Sequence, residues 1–408
     1  MSKKKRGPRP GVPLTVLTLL AAAAAVVALL LPFHALSPAA GKNIAPAPQI
    51  YTFSGTIQAG EPSLRRALKA AAPEEDEGSV RAQVLLESMS LEEKVGQMFI
   101  ARCPKGDGAQ LAAEYHLGGY ILFASDFKGK NPEQVGRDIA QYQQAVSVPL
   151  LIGVDEEGDG VVRVSKYPAF REAPFPSPRE LWLSGGQEAV RSDTAEKCGL
   201  LHSLGINVNF APVCDVSQDP EDYIYRRTLG EDAEATAQYV RAVVETMGES
   251  GVASVLKHFP GYGGNGDTHT GLVYDNRPME ASDFFPFQAG IDAGADMVLV
   301  SHNIVAAMDS QYPASLSSTV HEILREKLGF TGVIVTDDLY MDGIRDFTGD
   351  EKAAVLAVQA GNDLLCCTDF QTQVSAVLAA VERGEITEDR IDQSVLRILN
   401  LKLSLGLL

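Results

Sequence analysis

Short apolar segments alternate along most of the chain with longer segments that have the spacing of amphipathic helices. The apolar segments predict eight strands, at residues 97–100, 119–123, 149–154, 207–210, 253–256, 297–300, 332–335 and 363–366. A helix-length segment separates each strand from the next, and a closing helix is predicted over residues 390–402. Eight strand–helix units favour an α/β fold of the TIM-type (β/α)8 barrel class, with a doubly wound open sheet as the alternative.

The first 41 residues follow a different pattern. An uncharged apolar run from residue 14 to residue 33 has only Thr15 and Thr18 as polar side chains, and basic residues precede it. Its length suits a membrane helix of about 20 residues, and the basic flank places the N-terminus in the cytoplasm. We interpret residues 1–41 as a signal-anchor or signal peptide rather than a core helix. Because Pro38 interrupts the small-residue cleavage pattern, we prefer an uncleaved anchor; if it is cleaved, the protein is secreted.

Residues 42–77 are rich in proline, glycine and alanine and end in an acidic cluster, which is typical of a flexible linker. Residues 78–408 then form a single catalytic barrel. We expect this barrel to lie outside the cytoplasm and to be a monomer.

Charge and cysteine content exclude some function classes. The net charge is −18, and residues 43–408 hold all 53 acidic side chains and all but six of the 35 basic ones. So acidic a region is a poor nucleic-acid binder. The five cysteines include no CxxC pair, which argues against a disulfide scaffold and a structural zinc site. We expect no metal and no other cofactor.

Polar residues cluster where the predicted strands end. Five of the eight strands run into such groups, at residues 155–157, 215, 257–258, 301–303 and 336–338. One acidic residue after a strand is as often a helix N-cap as a catalyst. Because the active site of a barrel lies at the carboxyl ends of its strands, five such endings together favour a catalytic site.

The segment KHFPGYGGNGDTHTG (257–271) concentrates this chemistry. It contains no GK[ST] sequence, so we reject a nucleotide-binding loop. Asp267 and His269 are two residues apart and can lie on one side of an extended chain. A carboxylate bonded to one imidazole nitrogen leaves the other nitrogen to exchange protons. A solvated polar loop is the alternative interpretation.

Several stretches together resemble glycoside hydrolase family 3, in its single-domain bacterial β-N-acetylhexosaminidase branch. They include MSLEEKVGQMFIAR (89–102), VDEEGDGVVR (154–163), RRTLGED (226–232), KHFPGYG (257–263), DTHTG (267–271) and LGFTGVIVTDDLYM (328–341). The resemblance covers most of residues 86–408. Lys-His-Phe-Pro-Gly followed by Asp-x-His separates this branch from the β-glucosidases of the same family.

The resemblance implies a role for each matching residue. Asp337 matches the nucleophile, His269 the general acid/base and Asp267 its orienting partner. The residues that match the sugar-holding positions are Asp155, Arg227, Lys257 and His258, with Arg163 and Asp338 as weaker candidates for support.

The chain also departs from the family pattern. Asp159 and Gly160 stand at the second glycine and first arginine of the usual acidic turn, so that arginine is missing. Tyr262 stands at the second histidine of the usual PGHG sequence.

The implied activity is retaining hydrolysis of terminal, non-reducing β-linked N-acetylglucosamine by double displacement. The expected partners are the carbohydrate substrate, a peptidoglycan-derived muropeptide or another N-acetylglucosamine-containing glycan, and the membrane through the N-terminal helix. The alternatives are a β-N-acetylglucosaminide phosphorylase, a β-glucosidase of the same family, a metal-dependent barrel hydrolase and a non-catalytic sugar binder.

Overall fold

The computed structural model describes residues 77–263, 266–349 and 352–408. The predicted N-terminal anchor (1–41) and all but the last residue of the predicted linker (42–77) lie outside these ranges. Within the described residues, no helix is both long and apolar enough to cross a membrane.

Ten strands are formed by the described residues. They are β1 Phe99–Arg102, β2 Gly119–Leu122, β3 Leu151–Val154, β4 Val208–Asn209, β5 Ala253–Phe259, β6 Tyr274–Asp275, β7 Met297–Val300, β8 Ile304–Val305, β9 Val333–Thr336 and β10 Leu365–Cys367. Eight of them form one parallel sheet in the order β10-β1-β2-β3-β4-β5-β7-β9. A parallel bridge between Val335 and Leu364 joins the two ends of this order, so the sheet closes into a barrel.

All eight predicted strands are present, which confirms the TIM-type barrel. One boundary differs in a way that matters for the site: β5 continues to Phe259, so Lys257 and His258 lie within the strand rather than after it. The polar side chains at the end of β5 interrupt the apolar pattern from which its end was predicted.

Thirteen α-helices lie in the described residues. They are α1 Glu77–Ser88, α2 Leu91–Gln97, α3 Gly108–Glu114, α4 Ala124–Phe127, α5 Pro132–Gln144, α6 Pro178–Ser203, α7 Ala233–Glu249, α8 Phe285–Asp292, α9 Ser318–Glu322, α10 Asp342–Thr348, α11 Ala353–Ala360, α12 Phe370–Glu382 and α13 Glu388–Ser404. Local sequence explains several starts. Ser90, Asn131 and Ser177 each cap a helix with a reciprocal side-chain bond to the third helical residue.

The barrel strands are buried on both faces because helices cover the sheet. Every residue of β2, β3, β5, β7 and β9 is buried. The five cysteines are buried free thiols.

Strands β6 and β8 form a separate, two-stranded parallel sheet that was not predicted. Tyr274 pairs with Ile304 and Asp275 with Val305, which ties the segment after β5 to the segment after β7. Arg277 strengthens this junction by donating to Asp275 at 2.9 Å and to Asp283 at 3.1 Å. The junction lies on the face of the barrel where the polar strand endings gather.

Candidate active site

The loop after β3 supplies the first group of polar side chains. The buried Glu156 carboxylate accepts the backbone N–H groups of Arg163 and Val164, each at 2.7 Å, and so holds the loop in a closed turn. The Arg163 guanidinium lies 3.7 Å from the Asp155 carboxylate and over the ring of Phe123. This contact supports the placement of Arg163 beside the site, next to the predicted sugar-holding residue Asp155.

Glu157 lies at the centre of a buried charge cluster. Arg227 donates to its two carboxylate oxygens at 3.0 and 2.7 Å, and the Lys257 ammonium lies 2.6 Å from it. The side chain of Glu157 is 4% exposed. Burial alone would raise the pKa of Glu157, but the two cations hold it well below its ordinary value. The carboxylate therefore stays charged and fixes both cations.

Lys257 also bridges to a second carboxylate. Its ammonium donates to Asp155 at 2.7 Å, and its side chain is 2% exposed while that of Asp155 is 16% exposed. Asp155 is therefore the member of this cluster with carboxylate surface open to solvent, where it can accept hydrogen bonds from sugar hydroxyls.

His258 is held between Asp215 and Arg227. Its Nδ1 is 2.8 Å from Asp215, and its Nε2 is 2.9 Å from Nη2 of Arg227. Because a guanidinium can only donate, we assign Nε2 as acceptor and Nδ1 as the N–H that donates to Asp215. Burial and the nearby Arg227 charge lower the pKa of His258. The ring is therefore a neutral imidazole in a fixed orientation.

Asp267 and His269 form the hydrogen-bonded pair that their spacing predicts. Nδ1 of His269 lies 2.6 Å from Asp267, and the backbone N–H of His269 donates to the same oxygen at 2.9 Å. Burial acts to raise the pKa of Asp267, but these bonds hold it below its ordinary value. Tyr223, whose pKa burial and the Asp267 charge raise to about 12, lies beside the pair. The His269 side chain is 58% exposed, so its Nε2 can reach a ligand.

Thr268 anchors this Asp-x-His segment (267–269) to the barrel. Thr268 is fully buried between its two partly exposed neighbours, and its hydroxyl lies 2.6 Å from that of Tyr262. The Tyr262 ring packs edge-on against His258, with centroids 5.0 Å apart. On the other side, the backbone N–H of Gly343 in α10 donates to the Thr268 carbonyl at 3.4 Å. Tyr262, one of the departures from the family pattern, therefore contacts both His258 of the sugar-holding cluster and Thr268 of the Asp-x-His segment.

Asp337 lies half-buried at the end of β9, and one of its oxygens accepts the N–H of Asp338 at 2.8 Å. Burial would raise the pKa of Asp337, but the nearby His302 and the hydrogen bond from the Asp338 N–H hold it below its ordinary value. Asp337 thus lies at the same barrel end as the Asp-x-His segment and the sugar-holding cluster, because all three lie at or after the carboxyl ends of parallel strands. It provides a carboxylate that is ionised at neutral pH.

Asp338 and His302 shape the loop beside Asp337. The Asp338 carboxylate accepts from the Thr368 hydroxyl at 2.5 Å and from the backbone N–H groups of Tyr340 and Thr368 at 3.0 Å. The fully buried His302 donates from Nε2 to the Asp338 carbonyl at 3.1 Å, and its Nδ1 lies 2.8 Å from the Ser315 hydroxyl. These bonds fix the loop that follows Asp337.

All seven predicted site residues therefore lie at the same end of the barrel. The residues that sequence reasoning did not select are Glu157, Asp215, Tyr262, Thr268 and His302. Glu157, Asp215 and His302 follow strand ends and were visible in the sequence as polar residues there, but nothing in the sequence indicated which side chains they would contact.

Among the described residues, no group of three or more His, Cys, Asp or Glu side chains is arranged to hold a metal ion.

Comparison with known proteins gives consistent matches. The model of the Glycosyl hydrolase family 3 N terminal domain matches residues 90–401. The chain is 32% identical over 335 residues to the β-hexosaminidase LpqI of Mycobacterium tuberculosis, covering 77% of this chain and 83% of that protein. It is 29% identical over 310 residues to a secreted glycosyl hydrolase of Arthroderma benhamiae, covering 71% and 85% respectively.

A solved structure is also similar. The family 3 β-N-acetylglucosaminidase of a Paenibacillus species superposes with a TM-score of 0.73 at 35% identity, over 78% of this chain. The match spans 63% of that longer protein.

Proposed function

Because the chain belongs to glycosyl hydrolase family 3, we propose that it is a retaining β-N-acetylhexosaminidase that releases terminal β-linked N-acetylglucosamine. As a member of this family it is a glycoside hydrolase and acts on carbohydrate. The observation that supports the proposal is the presence, at one barrel end, of both the Asp337 carboxylate and the hydrogen-bonded Asp267–His269 pair.

In the first step, a carboxylate oxygen of Asp337 attacks the anomeric carbon. The bond to the leaving-group oxygen breaks, and that oxygen takes the proton from Nε2 of His269. In the second step, His269 removes a proton from water, whose oxygen displaces Asp337 and releases the sugar. Asp267 holds Nδ1 throughout, so that the Nε2 nitrogen faces the reaction in both steps.

The sugar-holding roles are assigned to Asp155, Arg227 and Lys257. The fourth predicted residue, His258, orients Arg227, because both of its ring nitrogens are already hydrogen-bonded. The Lys257 ammonium has three N–H donors and uses two on Asp155 and Glu157, so one is left for a sugar oxygen. Arg227 similarly keeps donors beyond those that meet Glu157 and His258. Glu157 positions both cations without contacting the sugar.

The test uses the full chain and a panel of aryl β-glycosides: N-acetylglucosaminide, N-acetylgalactosaminide, glucoside and xyloside. We expect turnover of the N-acetylglucosaminide, and an Asp337→Ala variant should lose at least about 10⁴-fold in kcat because the nucleophile is gone. Asp389→Ala, an exposed acid in the first turn of α13, is the matched control. Turnover of the glucoside or xyloside alone would overturn the proposed specificity, and full activity of Asp337→Ala would overturn the mechanism.

A phosphorylase is the second candidate, and the histidine in the acid/base position favours it. A neutral imidazole does not repel an incoming phosphate as a carboxylate base would. Assays with and without inorganic phosphate separate the two reactions. A sugar 1-phosphate product, with a rate that rises with phosphate, identifies the phosphorylase; free N-acetylglucosamine at a phosphate-independent rate identifies the hydrolase.

An extracytoplasmic location is part of the proposal. It is supported by the apolar run in residues 1–41 and by the similarity to a secreted glycosyl hydrolase. A barrel held outside the cytoplasmic membrane would meet peptidoglycan fragments as its natural substrate. Fractionation of cells that express the full chain, or the chain from residue 42, tests the anchor: only the full chain should remain with the membrane after a salt wash.

A further inference from the structure

Among the described residues, the large exposed aromatic side chains lie on one face of the barrel. In the part of the chain that the structure describes, the aromatic residues with large exposed surface are all tyrosines: Tyr223, Tyr274, Tyr312 and Tyr340. They lie in the segments that follow β4, β5, β7 and β9. Because the same segments carry the site, these four tyrosines lie around it.

Two of these tyrosines flank helix α10. Tyr340 is three residues after Asp337 and 45% exposed, and the guanidinium carbon of Arg345 lies 4.4 Å from its ring centroid. The ring of Tyr312, 42% exposed, packs edge-on against Phe347 with centroids 5.7 Å apart. Arg345 and Phe347 both belong to α10, so one short helix holds both exposed rings in place.

The same helix packs against the Asp-x-His segment. A Cβ atom at Gly343 would lie 2.8 Å from the Gly271 carbonyl and 3.0 Å from that of Thr268, so the two backbones are in direct contact. Tyr340 is thus connected to Asp337 along the chain and to His269 through α10.

The position of Tyr340 determines which part of the substrate it would contact. The sugar that is attacked must lie over Asp337, and the leaving oxygen must lie within reach of His269. The next ring of the glycan therefore extends from the His269 side of the site, where α10 lies. We propose that Tyr340, supported by Arg345 and with Tyr312 beside it, is a binding platform for the first sugar ring of the leaving group.

The chemistry of the platform suits a pyranose ring. The C–H groups on one face of a β-linked sugar pack against an aromatic ring, and the tyrosine hydroxyl keeps the exposed ring soluble. Arg345 covers one face of the Tyr340 ring, so a sugar would contact the part of the ring that Arg345 leaves exposed. The proposal rests on the proposed function and deepens it. The preferred substrate is a saccharide of at least two rings rather than a single sugar with a small aglycone.

The test compares two substrates that differ only in the leaving group. One is the β-1,4-linked disaccharide of N-acetylglucosamine, and the other is β-N-acetylglucosaminyl azide, whose leaving group has no ring. In the full chain, Tyr340→Ala should lower kcat/KM for the disaccharide about five- to tenfold and leave the value for the azide unchanged. Tyr340→Phe keeps the ring and should remain within about twofold of the wild type on both.

Leu183→Ala, which removes the most exposed large apolar side chain of the described residues, is the matched control and should change neither value. An equal loss on both substrates, or no loss on the disaccharide, would overturn the platform. If the wild type cleaves neither substrate, the proposed function itself fails; if it cleaves both and Tyr340→Ala matches it, only the platform fails.

Discussion

At the scale of single residues, the site depends on charges that hold one another in place. Glu157 and Arg227 are 70 positions apart in sequence, yet Arg227 donates to both oxygens of Glu157 at 2.7 and 3.0 Å, and the Glu157 side chain is only 4% exposed. Buried ion pairs of this kind are costly to break because one partner is left without its counter-charge. We therefore interpret Glu157 as the residue that keeps Arg227 and Lys257 rigid.

Neutral hydrogen bonds position the proton-transfer residue in the same way. Removing the hydroxyl of Thr268 as Thr268→Val keeps its shape but breaks the buried bond to Tyr262. We expect kcat to fall about tenfold, corresponding to about 1.4 kcal/mol, because His269 loses its fixed position. The loss should be greatest for poor leaving groups, which need the proton most.

Three variants accompany Thr268→Val. Thr268→Ser should restore the bond and most of the rate, and Tyr262→Phe should reproduce the loss without adding to it in the double variant. Thr246→Val, which removes a buried hydroxyl bond inside α7, is the control that should leave kcat unchanged. A loss of equal size for good and poor leaving groups would show that the bond is structural only.

At the scale of elements, the apolar pattern predicted all eight barrel strands. Strands that are buried on both faces consist of apolar residues, and polar residues follow them. The pattern failed for β6 and β8, since a two-residue strand has no periodicity to detect. The pattern also predicted that β5 ends before Lys257. A charged residue is typical of a loop, and the two distant carboxylates that pair with Lys257 inside the protein cannot be recognised from the sequence. The missed features thus depend on partners far away in the chain.

The contact between α10 and the Asp-x-His segment is testable as an element contact. Gly343→Ala would place a methyl group 2.8–3.0 Å from two carbonyl oxygens and so separate the helix from the segment. We expect kcat/KM on the disaccharide to fall about tenfold and the free energy of unfolding to fall by about 1 to 3 kcal/mol, because one of the two backbones must move.

Gly136→Ala in α5 is the matched control for Gly343→Ala, because open space surrounds Gly136 and alanine favours a helix. It should leave the rate unchanged and preserve or raise stability. Wild-type rates for Gly343→Ala would mean that the packing of α10 does not position His269.

At the scale of the whole molecule, the closing helix α13 buries a lysine far along the chain from the site. Lys402 is fully buried, donates to Gln97 in α2 at 2.6 Å, and has a pKa that burial lowers to about 7. Because the unfolded chain has an ordinary lysine pKa near 10.4, it binds a proton that the folded protein lacks between these values. Stability linked to Lys402 therefore rises with pH from about 7 to about 10, by at most about 1.4 kcal/mol per pH unit.

Lys402→Met should remove this rise in the free energy of unfolding, measured by urea unfolding at pH 6 to 9, whatever its effect on stability at one pH. Lys166→Met on the surface should retain the rise. If stability rises with pH equally steeply in Lys402→Met, the buried Lys402 side chain stays charged in the folded protein over this pH range.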